Sequence, residues 1–415
     1  MAITILNQPG LFAPAQSPMY FRVNSTNTSQ CGFHYIFDIF TGNTDYKSRQ
    51  RLQARPDGTC VFTPNTVLKS YLGYDLQPRI SACTQARNSA MQYRITFGEE
   101  YGLSNNCVTG TTVFSGLTTQ SGYCWNSVIQ YDQFPTFKYT QFYMTGSTGR
   151  FLTNRPDSLV VNNDEWETIS FLNIDSGGTK VAGFVYEFNL EAGGLSQTHY
   201  LSNPYSANTL GAAKLINVPV GINNLTVAFG VPFITSQWDY YTITAASGAT
   251  PANSLTGISE FRKFRFANGT NSRCSKYPTI RIAFLNTLGA FEFYNFDTIS
   301  RKTLTVTRDM YQKPLPFNYQ VGDRGRAVVE MTASERVTIG TDFLTTAVSE
   351  WLCNEFYITP EAYEMKSDGT ILPITIEPGS IEVKNTINDK LVELAFAFTY
   401  AFDRSTTSGG GGSVV

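Results

Sequence analysis

Alternation of side-chain character along short segments is the feature that most restricts the fold of this chain. In "GFHYIFDIF", Phe33, Tyr35 and Phe37 fall on one face of an extended strand, whereas His34 and Asp38 fall on the other. Similar segments are separated by clusters of Pro, Gly, Asn and Ser, which favour turns. Because a period of two belongs to strands and not to helices, the sequence predicts a mainly β fold of multi-domain antiparallel β-sandwiches.

The length of the chain implies several domains. Its 415 residues exceed the roughly 250–300 at which a single core stops growing. We predict an N-terminal immunoglobulin- or fibronectin-like sandwich domain at 1–105, a polar loop or linker at 106–123, a central β domain at 124–300 and a C-terminal β domain at 301–404. Residues 405–415 have the composition of a flexible linker, and the sequence leaves open whether this tail is native.

The central domain contains four segments with strand-like patterns. They are predicted as strands on the same grounds as above: "KYTQFYM", "VAGFVYEFNL", "NNLTVAFG" and "DYYTITAA". The C-terminal domain contains one segment with a helical pattern, "TDFLTTAVSEWLCNEF". There Val348 and Trp351 lie at helical spacing, and Thr341 or Asp342 precedes them as a cap. We therefore predict one amphipathic helix at about 341–355.

The composition indicates that part of the surface of this chain is buried against other proteins. Only 15% of its residues are charged, where roughly 25% is typical, and 14% are aromatic, including 30 Phe and 23 Tyr. Interface cores are depleted of charge and enriched in aromatic residues, so we expect copies of this chain to bury surface in a symmetric assembly. The net charge of −2 gives no electrostatic reason to bind nucleic acid.

Cysteines and the N-terminal residues bear on where the chain is made. The seven cysteines are widely spaced, with no CxxC pair: Cys31, Cys60, Cys83, Cys107, Cys124, Cys274 and Cys353. We predict reduced, mostly buried thiols in a protein made in a reducing cytosol, with a bridge between Cys107 and Cys124 as the alternative. The first residues have no signal-peptide pattern, and no apolar run reaches the roughly 18 residues that span a bilayer, so no membrane anchor is expected.

The sequence offers few residues for catalysis or metal binding. Its two histidines, His34 and His199, have no second histidine or cysteine at zinc-binding spacing, and HExxH, GxSxG and phosphate-loop patterns do not occur. We predict packed or surface histidines, with no catalytic residue, no cofactor and no metal site.

Carboxylates remain available for a β-rich glycoside hydrolase, which needs two at a suitable separation. Adjacent residues on a strand point to opposite faces, so neighbouring acids do not themselves form a catalytic pair. Solvated turns or strand ends are the favoured interpretation of the densest acidic clusters, which comprise Glu99 and Glu100, and then Asp164, Glu165 and Glu167.

Two aromatic segments suggest binding. "FRKFRF" interleaves aromatic and basic residues in a manner that stacks bases and holds phosphates, but an edge strand or subunit contact is favoured. In "WDYYTIT", Trp238, Tyr240 and Tyr241 would stack on sugar rings if exposed, but a core strand is favoured.

The block "IRIAFLNTLGAFEFYNF" has the pattern of a β-hairpin. Two alternating runs flank a short segment around Asn286 and Gly289, which favour turns. Apolar groups occur on both faces of both runs, so we expect the hairpin to be covered twice, by its own domain and by a second layer or subunit.

Three stretches together resemble tailed-bacteriophage virion proteins. They are "SPMYFRVNSTNTSQCGFHYIFDIF" with "ARPDGTCVFTPNTVLKSYLGY" and "YRITFGEEYG", then "CSKYPTIRIAFLNTLGAFEFYNF", and finally "AVSEWLCNEFYITPEAYEM". The resemblance implies a non-catalytic structural protein of the tail, baseplate or head-to-tail connector. It also implies ring-like contacts with copies of itself and with other virion proteins, in a particle made in the bacterial host cytoplasm.

Two alternatives stay open at this point. The chain is a host-surface or glycan-binding β protein in the first, and a phage-borne glycoside hydrolase in the second. The first depends on exposed aromatic side chains and the second on a pair of accessible carboxylates.

Overall fold

A computed structural model describes residues 3–102, 118–133, 137–174, 180–193, 196–206, 215–230, 237–248, 255–267, 276–314, 317–321, 325–379 and 393–404. The chain is mainly β, with several antiparallel sheets and short helices. It forms two compact units. The first comprises Met1–Thr153, Asp157–Ser272 and Asn286–Phe291, and the second comprises Asn154–Pro156, Arg273–Leu285 and Glu292–Val415.

The strands are numbered in chain order. They are β1 (Ile3–Asn7), β2 (Phe12–Pro14), β3 (Phe21–Ser25), β4 (His34–Thr41), β5 (Asp45–Leu52), β6 (Thr59–Phe62), β7 (Thr84–Gln85), β8 (Ala90–Glu100), β9 (Thr118–Trp125), β10 (Leu159–Val161), β11 (Thr168–Leu172), β12 (Gly183–Asn189), β13 (Ser196–Ser202), β14 (Leu215–Pro219), β15 (Tyr240–Ser247), β16 (Thr256–Gly257), β17 (Arg262–Phe266), β18 (Ile280–Leu285), β19 (Phe291–Phe296), β20 (Arg301–Gln312), β21 (Arg326–Gly340), β22 (Ala362–Met365), β23 (Ile371–Ile376) and β24 (Ala395–Tyr400). The α-helices are α1 (Asn65–Leu68), α2 (Ile222–Phe229) and α3 (Thr346–Trp351).

The first unit begins with a β-sandwich. A three-stranded sheet in the order β1-β3-β6 packs on a five-stranded sheet in the order β2-β9-β8-β4-β5. Phe37 of β4 stacks on Phe62 of β6 with ring centroids 4.2 Å apart, and Phe21 packs against Phe97 at 5.6 Å. The alternation of β4 therefore directs its aromatic face into the space between the sheets, as the sequence predicts.

Part of the predicted linker is a strand. Residues 106–117 lie outside the described residues, but residues 118–123 belong to β9, in which Thr118 pairs with Phe97 and Tyr123 with Gln92. The polar composition of this segment is typical of a loop, yet the free edge of β8 offers backbone hydrogen bonds to any extended neighbour. The tertiary partner, and not the local composition, decides its structure.

The first unit continues with a second sandwich. A sheet in the order β10-β17-β15-β12-β13, with β16 beside β15, encloses a core with the sheet β11-β14-β7. Rings from both sheets fill this core. For example, Phe171 packs against Phe184 with centroids 5.1 Å apart, and Tyr241 stacks on Phe264 at 5.1 Å.

Two predicted strands of the central domain are wrong. "NNLTVAFG" forms helix α2, which is bounded by Gly221 and by Gly230 with its positive φ of 66°, a backbone conformation that commonly ends helices. "KYTQFYM" forms a 3₁₀ turn at Tyr139–Phe142, and it meets β11 only in a bridge between Tyr143 and Leu172. An alternating pattern becomes a strand only where a neighbouring strand accepts its hydrogen bonds.

The second unit contains a seven-stranded sheet in the order β19-β18-β22-β23-β24-β21-β20. Helix α3 packs on it and continues in a π-helical turn at Leu352–Phe356. Trp351 contacts Phe284 and Phe356 contacts Phe396, with centroids 5.6 and 4.9 Å apart. The predicted helix near the C-terminus is confirmed.

The start of that helix differs from the prediction. The predicted caps were Thr341 and Asp342, but α3 begins at Thr346, after Thr345. The Thr341 N–H donates to the Leu394 carbonyl at 2.8 Å, and the Leu394 N–H donates to Thr341 Oγ1 at 2.9 Å. These bonds hold the chain extended before the helix, so it starts one turn later.

The hairpin of β18 and β19 turns where the sequence predicts. The Asn286 N–H donates to the Ala290 carbonyl at 2.8 Å, the Asn286 Oδ1 accepts from the Ala290 N–H at 2.9 Å, and Gly289 has a φ of 78°. Except for the half-buried Arg281, every residue of both strands is buried within the single chain. No second subunit is needed to cover either face.

We expect Gly289→Ala to destabilise the first unit more than Gly230→Ala does. Both glycines have positive φ, which costs an alanine about 1–2 kcal/mol. A Cβ at Gly289 would also overlap the Asn126 carbonyl oxygen, whereas a Cβ at Gly230 meets nothing within 4 Å. Urea unfolding followed by tryptophan fluorescence measures the difference, and equal midpoints for the two variants would contradict it.

Candidate interaction site

The second unit carries a long two-stranded hairpin. β20 pairs antiparallel with β21 from Arg301 opposite Thr338 to Gln312 opposite Arg326. β24 pairs with β21 only from Arg336 to Gly340, and beyond that β21 meets one isolated bridge. We call residues 301–312 and 326–335 the arm. At about 3.4 Å per residue, its twelve-residue strand β20 is about 40 Å long.

The two faces of the arm differ in chemistry. The register places Val306 opposite Ala333 and Met310 opposite Val328. One face, called the apolar face below, therefore carries six apolar side chains together with the charged side chains of Lys302, Arg308 and Glu335, the apolar ones being Leu304, Val306, Met310, Val328, Met331 and Ala333. The other face is polar, with the side chains of Thr303, Thr305, Thr307, Thr332 and Ser334.

Three apolar side chains of this face are exposed. Leu304 is 50% exposed, Met310 59% and Val328 37%, whereas Val306 and Met331 are half-buried and Ala333 is buried. An isolated two-stranded ribbon is marginal in water, and a contiguous exposed apolar patch is typical of an interaction surface. The arm is accordingly the strongest candidate for a functional site among the described residues.

Charges on the arm are balanced at its base. Glu335 lies between Lys302 and Arg404, with N–O distances of 3.5 and 2.6 Å. Farther out, Asp309 stands directly opposite Glu330, and like charges in that position repel. Such a pair favours a partner that brings positive charge.

Sequence reasoning missed the arm. Its signal is "KTLTVTRDMYQ", in which threonines alternate with apolar and charged residues. That pattern predicts a strand with one apolar face, but it does not show whether another layer of the protein covers that face.

The first acidic cluster is structural. Glu99 is fully buried and accepts hydrogen bonds from Ser25 Oγ at 2.6 Å and from Asn27 Nδ2 at 3.0 Å. Glu100 forms an ion pair with Arg51 at 2.9 Å. Both carboxylates therefore have protein partners, and the burial of Glu99 corrects the expectation of a solvated position for that residue.

The second acidic cluster supports helix α2. Glu165 and Glu167 are buried, which corrects the expectation of a solvated turn for these two, whereas Asp164 is exposed. The Glu165 carbonyl accepts from the Asn223 N–H at 3.1 Å, and the Glu167 N–H donates to Asn224 Oδ1 at 2.8 Å. The structure places this cluster in the second sandwich and Glu99 and Glu100 in the first, so it does not bring the two clusters together.

Tyr240 and Tyr241 lie in the core strand β15, as favoured from the sequence, and Trp238 precedes that strand. Tyr241 is fully buried and donates to the Val220 carbonyl at 2.5 Å, and Trp238 is 9% exposed. The Lys263 ammonium covers the ring of Tyr240 at 3.7 Å.

"FRKFRF" forms β17, which lies between β10 and β15. The expectation of an edge strand is therefore wrong. Its cations already have acidic partners, because Arg262 pairs with Asp157 at 3.2 Å and Arg265 pairs with Glu191 at 2.8 Å. β17 lies inside the sheet because β10 pairs with it in parallel. The local composition of the segment does not reveal this partner.

The cysteines correct a further expectation. Cys31 is disulfide-bonded, whereas Cys60, Cys83, Cys124 and Cys353 are free thiols. Because Cys124 is a free thiol, the alternative bridge between Cys107 and Cys124 is excluded. Burial raises the pKa of the Cys83 thiol to about 12. The expectation of seven reduced thiols is wrong at Cys31, because spacing along the chain does not show which side chains meet.

The described residues contain no group of three or more His, Cys, Asp or Glu side chains placed to hold a metal ion. None of the helices in these ranges has the length and apolar character required to cross a bilayer.

We expect His199 to titrate below its ordinary pKa of 6.5, because burial disfavours the charged ring. It packs against Phe229 and Phe188, with centroids 4.7 and 5.7 Å away. The unfolded chain then binds more protons than the folded chain, so His199 lowers the free energy of unfolding as pH falls below 6.5.

NMR of histidine-labelled protein measures this titration, since the chain has two histidines. His199→Gln assigns the signal and should remove its contribution to the pH dependence of stability. A midpoint at or above 6.5 for the signal lost in that variant contradicts the expectation.

Comparisons with known proteins do not assign a family. No family model matches the chain, and no curated protein matches it. Among solved structures, it is similar to a mutant of Salmonella alpha-2-macroglobulin at 10% sequence identity, with 95% of this chain and 31% of that chain covered and a TM-score of 0.19. The chain thus spans about a third of the length of that structure, and a likeness this weak carries no argument about function.

Proposed function

We propose that this chain is a non-catalytic structural protein of a tailed-phage virion. It belongs to the tail, the baseplate or the head-to-tail connector, where it assembles with copies of itself in a ring or similar oligomer and with other virion proteins. The particle is made in the bacterial host cytoplasm. The resemblance of three sequence stretches to virion proteins supports the class, and the arm supports assembly.

The arm is the observation that carries the proposal. It places a bare apolar face on a ribbon that has no covering layer among the described residues. Burial of such a face against another protein removes apolar area from water, at roughly 25 cal/mol per Å². In an assembly, a neighbouring subunit keeps these apolar side chains buried, so they are not exposed to water.

The alternatives have less support. A glycan-binding protein of the kind expected from the sequence needs exposed stacking rings, but Trp238 and Tyr241 are buried. A hydrolase built on the acidic clusters needs free carboxylates, but Glu99 and Glu165 accept hydrogen bonds from neighbouring side chains. Neither observation favours these functions over an assembly role.

We expect a chain with a shortened arm to fold but not to assemble into particles. Replacing residues 307–332 by an Asn-Gly turn keeps the pair between Val306 and Ala333 and closes the hairpin. In complementation of a phage genome that lacks this gene, the full chain should restore infectious particles, whereas the shortened chain should reduce their titre at least about tenfold, the effect of a 1.4 kcal/mol loss of binding.

A matched control changes the polar face of the arm. Thr332→Ser with Ser334→Thr lies on β21, keeps the apolar face intact and should restore the full titre. Circular dichroism and thermal unfolding establish that each variant is folded. Full complementation by the shortened chain, or absence of the protein from purified particles by mass spectrometry, contradicts the proposal.

A further inference from the structure

We propose that the partner of the arm is a second copy of this chain, which pairs antiparallel with β20 along its free edge. The inference deepens the proposed function and rests on it for the idea that the arm serves assembly. A twofold axis at Thr305 relates the two copies. The two arms then form one four-stranded ribbon, in which Leu304 and Val306 of both copies make an apolar centre on one face.

The edge of β20 is available for pairing. β20 is the last strand of the seven-stranded sheet, and eleven of its twelve residues are exposed, Val306 being half-buried. Its centre, "TLTVT", contains no charge, glycine or proline. Natural edge strands usually carry such blocking residues. In β20 the charges lie on either side of this centre, so the centre itself is open to a strand partner.

Another edge strand of the same chain shows the contrast. β5 ends the five-stranded sheet of the first sandwich, and it alternates Lys47, Arg49 and Arg51. Each of these cations forms an ion pair, with Asp45, Asp38 and Glu100 respectively. A charged edge of this kind resists edge-to-edge association, whereas β20 has no comparable protection at its centre.

Charge complementarity selects the register. In a twofold antiparallel pair centred on Thr305, Arg301 stands opposite Asp309 of the second copy, and the symmetry produces this pair twice. Among the described residues, neither Arg301 nor Asp309 forms an ion pair. The incoming arginine also offsets the repulsion between Asp309 and Glu330.

The remaining positions fit the same register. Thr303 meets Thr307 on the polar face, and Leu304 meets Val306 on the apolar face, and both are favourable cross-strand pairs. Lys302 opposes Arg308, but Glu335 already neutralises Lys302 at 3.5 Å.

Neighbouring registers lose the ionic pairing. A centre at Val306 places Thr303 opposite Asp309 and Leu304 opposite Arg308, so that Arg301 meets no acid. A centre at Leu304 places Arg301 opposite Thr307. Charge therefore favours Thr305 as the centre.

Charge reversal tests the register. Arg301→Asp and Asp309→Arg each place like charges opposite one another at two symmetric positions, so each single variant should weaken dimerisation at least about tenfold. The double variant restores opposite charges and should dimerise like the original chain. An equimolar mixture of the two single variants should form heterodimers, because each position then meets its opposite charge.

Sedimentation equilibrium across protein concentrations measures these constants. Arg326→Asp is the matched control, since it changes charge on β21, away from the β20 edge, and should leave the dimer unchanged. Circular dichroism verifies that each variant is folded.

Three outcomes overturn the inference. They are a monomer at every concentration of the original chain, a dimer that tolerates both single reversals, and a mixture of single variants that stays monomeric. If any of these occurs while the shortened arm still prevents particle formation, self-pairing fails and the proposed function stands. If the chain with the shortened arm instead restores the full titre, the arm has no role in assembly and the proposed function fails.

Discussion

The burial of aromatic side chains between paired sheets is the interaction on which the rest of this structure depends. A ring such as Phe37 is completely buried against Phe62, and each fully buried ring contributes about 1.5–3 kcal/mol. Tyrosines take part because their hydroxyls find acceptors. Tyr35 donates to the Gly58 carbonyl at 2.6 Å and Tyr186 to the Pro219 carbonyl at 2.7 Å. The same alternation therefore builds both sandwiches of the first unit.

The arm follows from the same rule applied where the described residues provide no second layer. β20 and β21 alternate apolar and polar side chains as the core strands do, yet Leu304 and Met310 stay exposed. The exposed apolar side chains and the edge of β20 are thus two aspects of one sheet, and the β partner that we propose would complete both.

Prediction from sequence succeeded where the residues of a short segment determine its structure by themselves. The turn at Asn286 and Gly289 is correct because both residues supply the turn themselves, through a side-chain acceptor and a positive φ. It failed where a partner decided the outcome. Residues 118–123 form a strand because β8 lies beside them, and β17 lies inside its sheet because β10 joins it. The arm was missed as a site for the same reason, since exposure depends on which layer is absent.

The sequence by itself determined the mainly β class, the helix near the C-terminus and the hairpin turn, because period, spacing and turn residues act over a few neighbouring positions. Only the tertiary structure decided that Glu99 and Glu165 are buried structural groups, that Cys31 is oxidised, and that the apolar face of β20 stays open. Each of these depends on residues far apart in the chain, whose meeting no local pattern encodes.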